Sequence, residues 1–194
     1  MANTGGVRPL LAVTLVLVVA ACGGTKTVTV TVTQTSTVVH TVTAGATTST
    51  TSASACSASE LSGSFDEVQG SAGAGQITYR LTVKNTGSSP CSVQGIPNVL
   101  LLGTSGAALP TSPSAEPGQG SGANVVLQPG DSAGADARFS PDVNGTGDNQ
   151  QGKCQPTATV LRVTIGGGSL DAPVQPPTSV CERGSLHFRP FTSS

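Results

Sequence analysis

AGAGQITYRLTVKNTGSSPCSVQGIPNVLLL, residues 72–102, sets the architecture expected of the whole chain. Ile77, Tyr79, Leu81 and Val83 alternate with Thr78, Arg80, Thr82 and Lys84. A period of two places one face in a core and the other in water, which is the pattern of a half-buried strand. Asn85-Thr-Gly-Ser-Ser-Pro90 then supplies turn formers, and Cys91 follows at once. Val99-Leu100-Leu101-Leu102 is apolar on both faces, as a strand buried between layers is.

Outward from that stretch, the same alternation recurs. Strands are expected at 61–68, 76–84, 92–102, 123–128, 132–140, 157–165, 172–180 and 185–191. Gly- or Pro-rich turns separate them at Gly70–Gly75, Gly118–Gly122, Gly166–Gly168 and Pro176-Pro177. Short strands at this spacing predict an all-β fold, an antiparallel immunoglobulin-like β-sandwich of seven or eight strands, with a small closed barrel as the alternative. Charged residues make up 10% of the chain and aromatic residues 3%, with no Trp, so turns and small residues fill the rest. No sustained helical periodicity occurs beyond the N-terminus.

The N-terminal third is different in kind. Residues 1–21 carry one cation, Arg8, and then the apolar run Leu10–Ala21. That run is short for a transmembrane helix, which needs ~20 residues, and fits an export signal. Val19-Ala20-Ala21-Cys22 resembles a bacterial lipobox, which makes Cys22 the expected diacylglyceryl anchor at the membrane. From Gly23 to Ala55, 13 of 33 residues are Thr and 4 are Ser, with Lys26 the one fixed charge. The Val/Thr alternation at 27–32 offers too little apolar area to offset chain entropy, so 22–55 is expected to be a disordered Thr-rich stalk. Residues 56–194 form the expected domain.

Four further cysteines lie in an exported context where disulfides are the default. Residues facing each other across a hairpin are equidistant from its turn. The midpoint of Cys56 and Cys91 falls within Gly70–Gly75, and that of Cys154 and Cys181 within Gly166–Gly168. The sequential pairing is therefore expected. The nested pairing also centres near glycines but must enclose several strands. A zinc site is the other use of four thiols, and no Cys-x-x-Cys spacing supports it.

The run AGAGQITYRLTVKNTGSSPCSVQGIP, with its Asn-Thr-Gly, Pro-Cys and Gly-x-Pro elements, resembles the signature of the DUF4232 domain of actinobacterial exported proteins and lipoproteins. The ending SVCERGSLHFRPF is similar to that family's closing strand pair. The resemblance runs from about Cys56 to Phe191, implies an exported β-domain, and supplies no catalytic residue. The chain departs from it in the insert Asp142–Lys153.

The residues offer little concentrated chemistry. His187 is the one histidine of the domain and is expected to face water beside Arg189, with Leu186 and Phe188 inward. Asp66 and Glu67, the nearest carboxylates in sequence, are expected on opposite faces of a strand, which does not suit paired general acid and base. Asp142, Asn144, Thr146, Gly147 and Asp148 match positions 1, 3, 5, 6 and 7 of a calcium loop. Lys153 stands where the bidentate Glu belongs, so a polar loop held by its own turns is expected instead of a cation site. Gly166-Gly-Gly168 precedes no helix and reads as a hairpin turn. No catalytic, cofactor or metal residue is therefore expected. From Gly23 on, 8 basic residues meet 10 acidic ones, with no basic stripe, which argues against a nucleic-acid partner. The function expected is non-catalytic recognition of an envelope protein or glycan, through Gly103–Gly122 or Ser140–Lys153. A passive surface protein and an envelope hydrolase are the alternatives.

Overall fold

A computed structural model describes residues 53–194. The signal peptide, Cys22 and most of the Thr-rich segment lie outside the described residues. The elements are β1 (Leu61–Glu67), β2 (Ile77–Asn85), β3 (Cys91–Val93), β4 (Asn98–Gly103), β5 (Ser112–Ala115), β6 (Val125–Leu127), β7 (Ser132–Phe139), β8 (Ala158–Ile165), β9 (Gly168–Thr178), β10 (Ser185–Phe188) and β11 (Thr192–Ser193).

β2 forms as its alternation requires: Tyr79, Leu81 and Val83 are buried, while Arg80 and Lys84 are exposed. It pairs with β1 through the Gly70–Gly75 turn and on its other side with β7, both antiparallel. Eight strands run in the order β4-β8-β9-β1-β2-β7-β10-β5, and β11 adds to β7. The two ends of that path are linked. Leu109 N–H donates to Leu101 C=O and Gly103 N–H to Ala107 C=O, both at 2.9 Å, and the same segment runs on into β5. The sheet is thus rolled almost into a barrel around one core. Tyr79 sits at its centre, its ring centroid 5.2 Å from Phe65 and 5.3 Å from Phe139, with its hydroxyl donating to Pro176 C=O at 2.9 Å.

The all-β class holds, but the pairing is mixed where antiparallel ladders were expected. β1 lies parallel to β9, with Phe65 opposite Val174, and β10 lies parallel to β5, with Ser185 opposite Ser112. Both parallel contacts arise where a chain returns across the domain instead of turning back in a hairpin. The expected strand 92–102 is two strands, because Gly95 at φ 73° and Pro97 turn the chain out of one ladder and into another. β5 was not expected at all. Pro113 is tolerated there because β5 ends the strand path, where an N–H is not required on both sides.

β3 and β6 make a separate two-stranded sheet, beside which Ala53–Cys56 runs. Asn85, 1% exposed, ties this sheet to the main one. Its amide donates to Ser89 C=O at 2.9 Å and Leu127 C=O at 3.1 Å, and its side-chain oxygen accepts from Gly87 N–H. The Asn-Thr-Gly element is therefore a joint as well as a turn.

The disulfides are Cys56–Cys91 and Cys154–Cys181, with Cα–Cα distances of 4.7 and 5.3 Å. Each joins the two sides of a hairpin beyond its open end. In the β8–β9 hairpin a register shift near Val160 moves the facing pairs from Val160–Pro173 to Ala158–Thr178, which brings residues 154 and 181 into line.

Candidate functional site

The outer faces of four adjacent strands build a continuous group of polar side chains. Opposite Cα partners place Thr78 of β2, Arg138 of β7, His187 of β10 and Ser114 of β5 in one row across the sheet. Beside it, Arg80 lies opposite Asp136, and Arg189 N–H donates to Asp136 C=O at 2.8 Å. Glu116 follows β5 and closes the group. Thr78, Arg138, His187, Glu116 and Asp136 line a cleft of about 210 Å³.

Its electrostatics are uneven. Arg80 holds Asp136 by two hydrogen bonds of 2.6 and 3.0 Å. Arg189 holds Glu116 at 2.5 Å, while Arg138 approaches the other Glu116 oxygen only to 3.3 Å. Hydrogen bonding and charge from Asp136 raise the Arg80 pKa, and those from Glu116 raise the Arg189 pKa, so both stay charged. Asp66 of β1 lies opposite Arg80 on the same face, so three guanidiniums face three carboxylates, and Arg138 is the guanidinium held least closely.

His187 is half-buried, between the fully buried Leu186 and Phe188. Its Nδ1 lies 3.0 Å from Ser114 Oγ and its Nε2 3.4 Å from Ser185 Oγ. Nucleophilic catalysis needs a third group to orient the base. Among the described residues no carboxylate hydrogen-bonds to His187, since arginines hold Glu116 and Asp136. The geometry can donate and accept hydrogen bonds around a ligand, and it lacks the order of a triad. Asp66 lies opposite Arg80 at the β1 side of the group: it is exposed, accepts a 2.6 Å hydrogen bond from Ser64, and alternates in burial with the half-buried Glu67.

The loop Ser140–Lys153 is tied down by its own polar groups. Asp148 is 8% exposed and accepts from Gly145 N–H at 2.8 Å, Glu182 N–H at 2.6 Å, Arg183 N–H at 2.9 Å and the Gln155 amide at 2.7 Å. Burial pushes this carboxyl up, but the bonds from Gln155, Arg183, Gly145 and Glu182 outweigh it and bring its pKa down to about 2. Glu182 and Arg183 take left-handed backbone, φ 53° and 59°, so their successive N–H groups form a nest for this anion. Both carboxylate oxygens are thereby occupied, and the Asp148 backbone carbonyl, the atom that position 7 of a calcium loop would use, accepts from the Gln150 amide at 3.1 Å. Asp148 also lies within 4.8 Å of Cys154 and Cys181, but those sulfurs are bonded to each other and offer no thiolate.

A carboxyl whose folded pKa lies below its ordinary 3.8 contributes stability that is full above 3.8 and is lost as pH falls toward 2. The melting temperature of the native chain is expected to drop through that window. Asp148→Asn should melt lower at neutral pH and show a shallower acid slope; an unchanged slope would contradict this role.

Within the loop Gly103–Gly122, β5 and the bridge of Ala108 to Leu102 join the sheet, and the other residues after Gly103 are turns and irregular chain. Its remainder borders an open groove of about 690 Å³ with Val125, Val126, Pro190 and Phe191. Gly166 and Gly167, φ 54° and 77°, form the β8–β9 turn, as expected.

The family model for the domain of unknown function DUF4232 matches residues 56–192. The chain belongs to the DUF4232 family. No curated protein and no solved structure matches it. Within this DUF4232 domain, sequence singled out His187 but not Arg138 or Thr78, and it marked Asp148 as position 7 of a calcium-loop match without foreseeing its bonds to Glu182 and Arg183. The alternation in β2 and β7 marks Thr78 and Arg138 as outward-facing; only the strand register reveals them as neighbours.

Proposed function

We propose that this protein is an envelope lipoprotein, anchored outside the cell membrane through a diacylglyceryl group on Cys22, whose DUF4232 domain binds an envelope component without catalysis. The domain, read at finer grain, is an immunoglobulin-like sandwich made by flattening the rolled sheet. The observation that carries the binding reading is the row Thr78–Arg138–His187–Ser114: hydroxyls, a guanidinium and an imidazole converge with no acid on the histidine. Lipobox residues Val19-Ala20-Ala21-Cys22 and the Thr-rich segment after them support the anchor and the stalk. Two disulfides fit an oxidising compartment.

Cys22→Ala is expected to move the protein from the detergent phase of membrane fractions into the medium. Retention in detergent would mean that the apolar run itself is the anchor. For the binding face, a photoreactive residue at position 78 should crosslink an envelope component on intact cells, while one at exposed position 169 should not. Identical products from the two positions, or none from position 78, would defeat the assignment.

A further inference from the structure

The cleft beside β7 has a preference built into its charge distribution, and this inference rests on the binding reading above. Arg80 and Arg189 are each committed to a carboxylate at short distance, Arg80 through two bonds. Arg138 is not. Its one ion pair among the described residues is Nε to Glu116 at 3.3 Å, its side chain is 48% exposed, and Glu116 already bonds to Arg189. A guanidinium carries five donors in a planar fork that matches a carboxylate. Arg138 therefore presents most of that fork to solvent, inside a cleft rather than on an open face. Thr78 stands on one side of it and His187 on the other, at the same register level.

We propose that Arg138, flanked by Thr78 and His187, is the binding site for a carboxylate carried by an extracellular polypeptide: an Asp or Glu side chain, or a chain terminus. Three observations narrow the ligand to that class. Arg138 is the one guanidinium of the lining without a short carboxylate partner, and Glu116 and Asp136 repel a second negative charge, so a monoanion suits the cleft better than a phosphate dianion. A volume of about 210 Å³ admits one side chain. It is smaller than the ~300–1,000 Å³ typical of small-molecule pockets. Val68 is the one apolar side chain lining the cleft, and no aromatic face is present on which a sugar ring would stack.

Titration of the full-length chain with N-acetyl-aspartate methylamide, its asparagine counterpart and glucuronate tests this, with NMR shifts at Arg138 and His187 as the readout. The aspartate compound is expected to bind at least tenfold more tightly than the asparagine compound, and more weakly as salt rises. Arg138→Gln should reduce that binding at least tenfold. Glu116→Gln should strengthen it about threefold, because it removes the anion that competes for Arg138. Equal binding of the aspartate and asparagine compounds, or an unchanged response in Arg138→Gln, would overturn the site. Tighter binding of glucuronate than of the aspartate compound would overturn the polypeptide source in favour of an acidic glycan. If the position-78 crosslink persists while the aspartate compound fails to bind, the carboxylate assignment falls and the binding face stands. If both fail, the binding reading falls with it.

Discussion

Replacing Cys56 and Cys91 together by serine is expected to remove about 5 kcal/mol of stability, the larger of the two disulfide losses. The two residues are separated by 35 positions. Closing a loop of that length restricts the unfolded chain by about 4 kcal/mol. Serine adds a second cost, because Cys56 is 0% and Cys91 4% exposed within the core cluster, and two buried hydroxyls without partners cost about 1 kcal/mol or more. A domain of this size has only ~5–15 kcal/mol in hand, so the double variant sits near the edge of folding. The Cys154–Cys181 pair closes a shorter loop, 27 positions. Asp148 still ties Gly145 to Glu182 and Arg183 when that bond is absent, and Pro141 C=O lies beside Cys154, where a serine hydroxyl can donate. Its removal is expected to cost about 3 kcal/mol. Urea unfolding of both double variants checks the order. Losses equal in size, or larger for Cys154–Cys181, would show that neither the core burial of Cys56 nor the Asp148 tie contributes as much as its geometry implies.

Those two pairs were legible in the sequence because a hairpin is symmetric about its turn and glycines marked both turns. β2 was legible because one of its faces is buried, and burial writes a period of two into the residues. What period cannot write is which strand lies next to which. Thr78, Arg138, His187 and Ser114 come from four segments, and their shared row follows from two antiparallel contacts and one parallel one. The parallel contacts were invisible for the same reason, since no turn adjacent in sequence encodes them. β5 was hidden by Pro113, which argues against a strand unless the strand is known to be at an end of the sheet. The left-handed pair Glu182-Arg183 was hidden more deeply. Neither residue type favours that conformation, and the group that stabilises it, Asp148, is more than thirty residues away.

That left-handed run ends at Gly184, and Gly184→Ala is the point substitution expected to do most harm. Its φ is 79°, where a side chain costs about 1–2 kcal/mol. An added Cβ would also run into the carbonyl group of Pro110 and come within 2.8 Å of Thr111 Cα. These are backbone atoms, with no flexible side chain to swing aside. They belong to the segment that joins β4 to β5 and so brings the rolled sheet nearly to closure. On the other side, Gly184 cannot retreat, because Cys181 is bonded to Cys154 and the N–H groups of Glu182 and Arg183 are held by Asp148. Overpacking of a fixed contact adds about 1–3 kcal/mol, giving about 2–5 kcal/mol in all. Gly167→Ala is the internal control: φ is 77°, nearly the same strain, but nothing lies within 4 Å of the new Cβ. It should cost only the conformational part, about 1–2 kcal/mol. Denaturant melts of the two variants side by side give the difference, which measures the contact with Pro110 alone. If the two lose the same stability, the Cys181–Gly184 turn and the 107–111 segment are not packed as tightly as this closure requires.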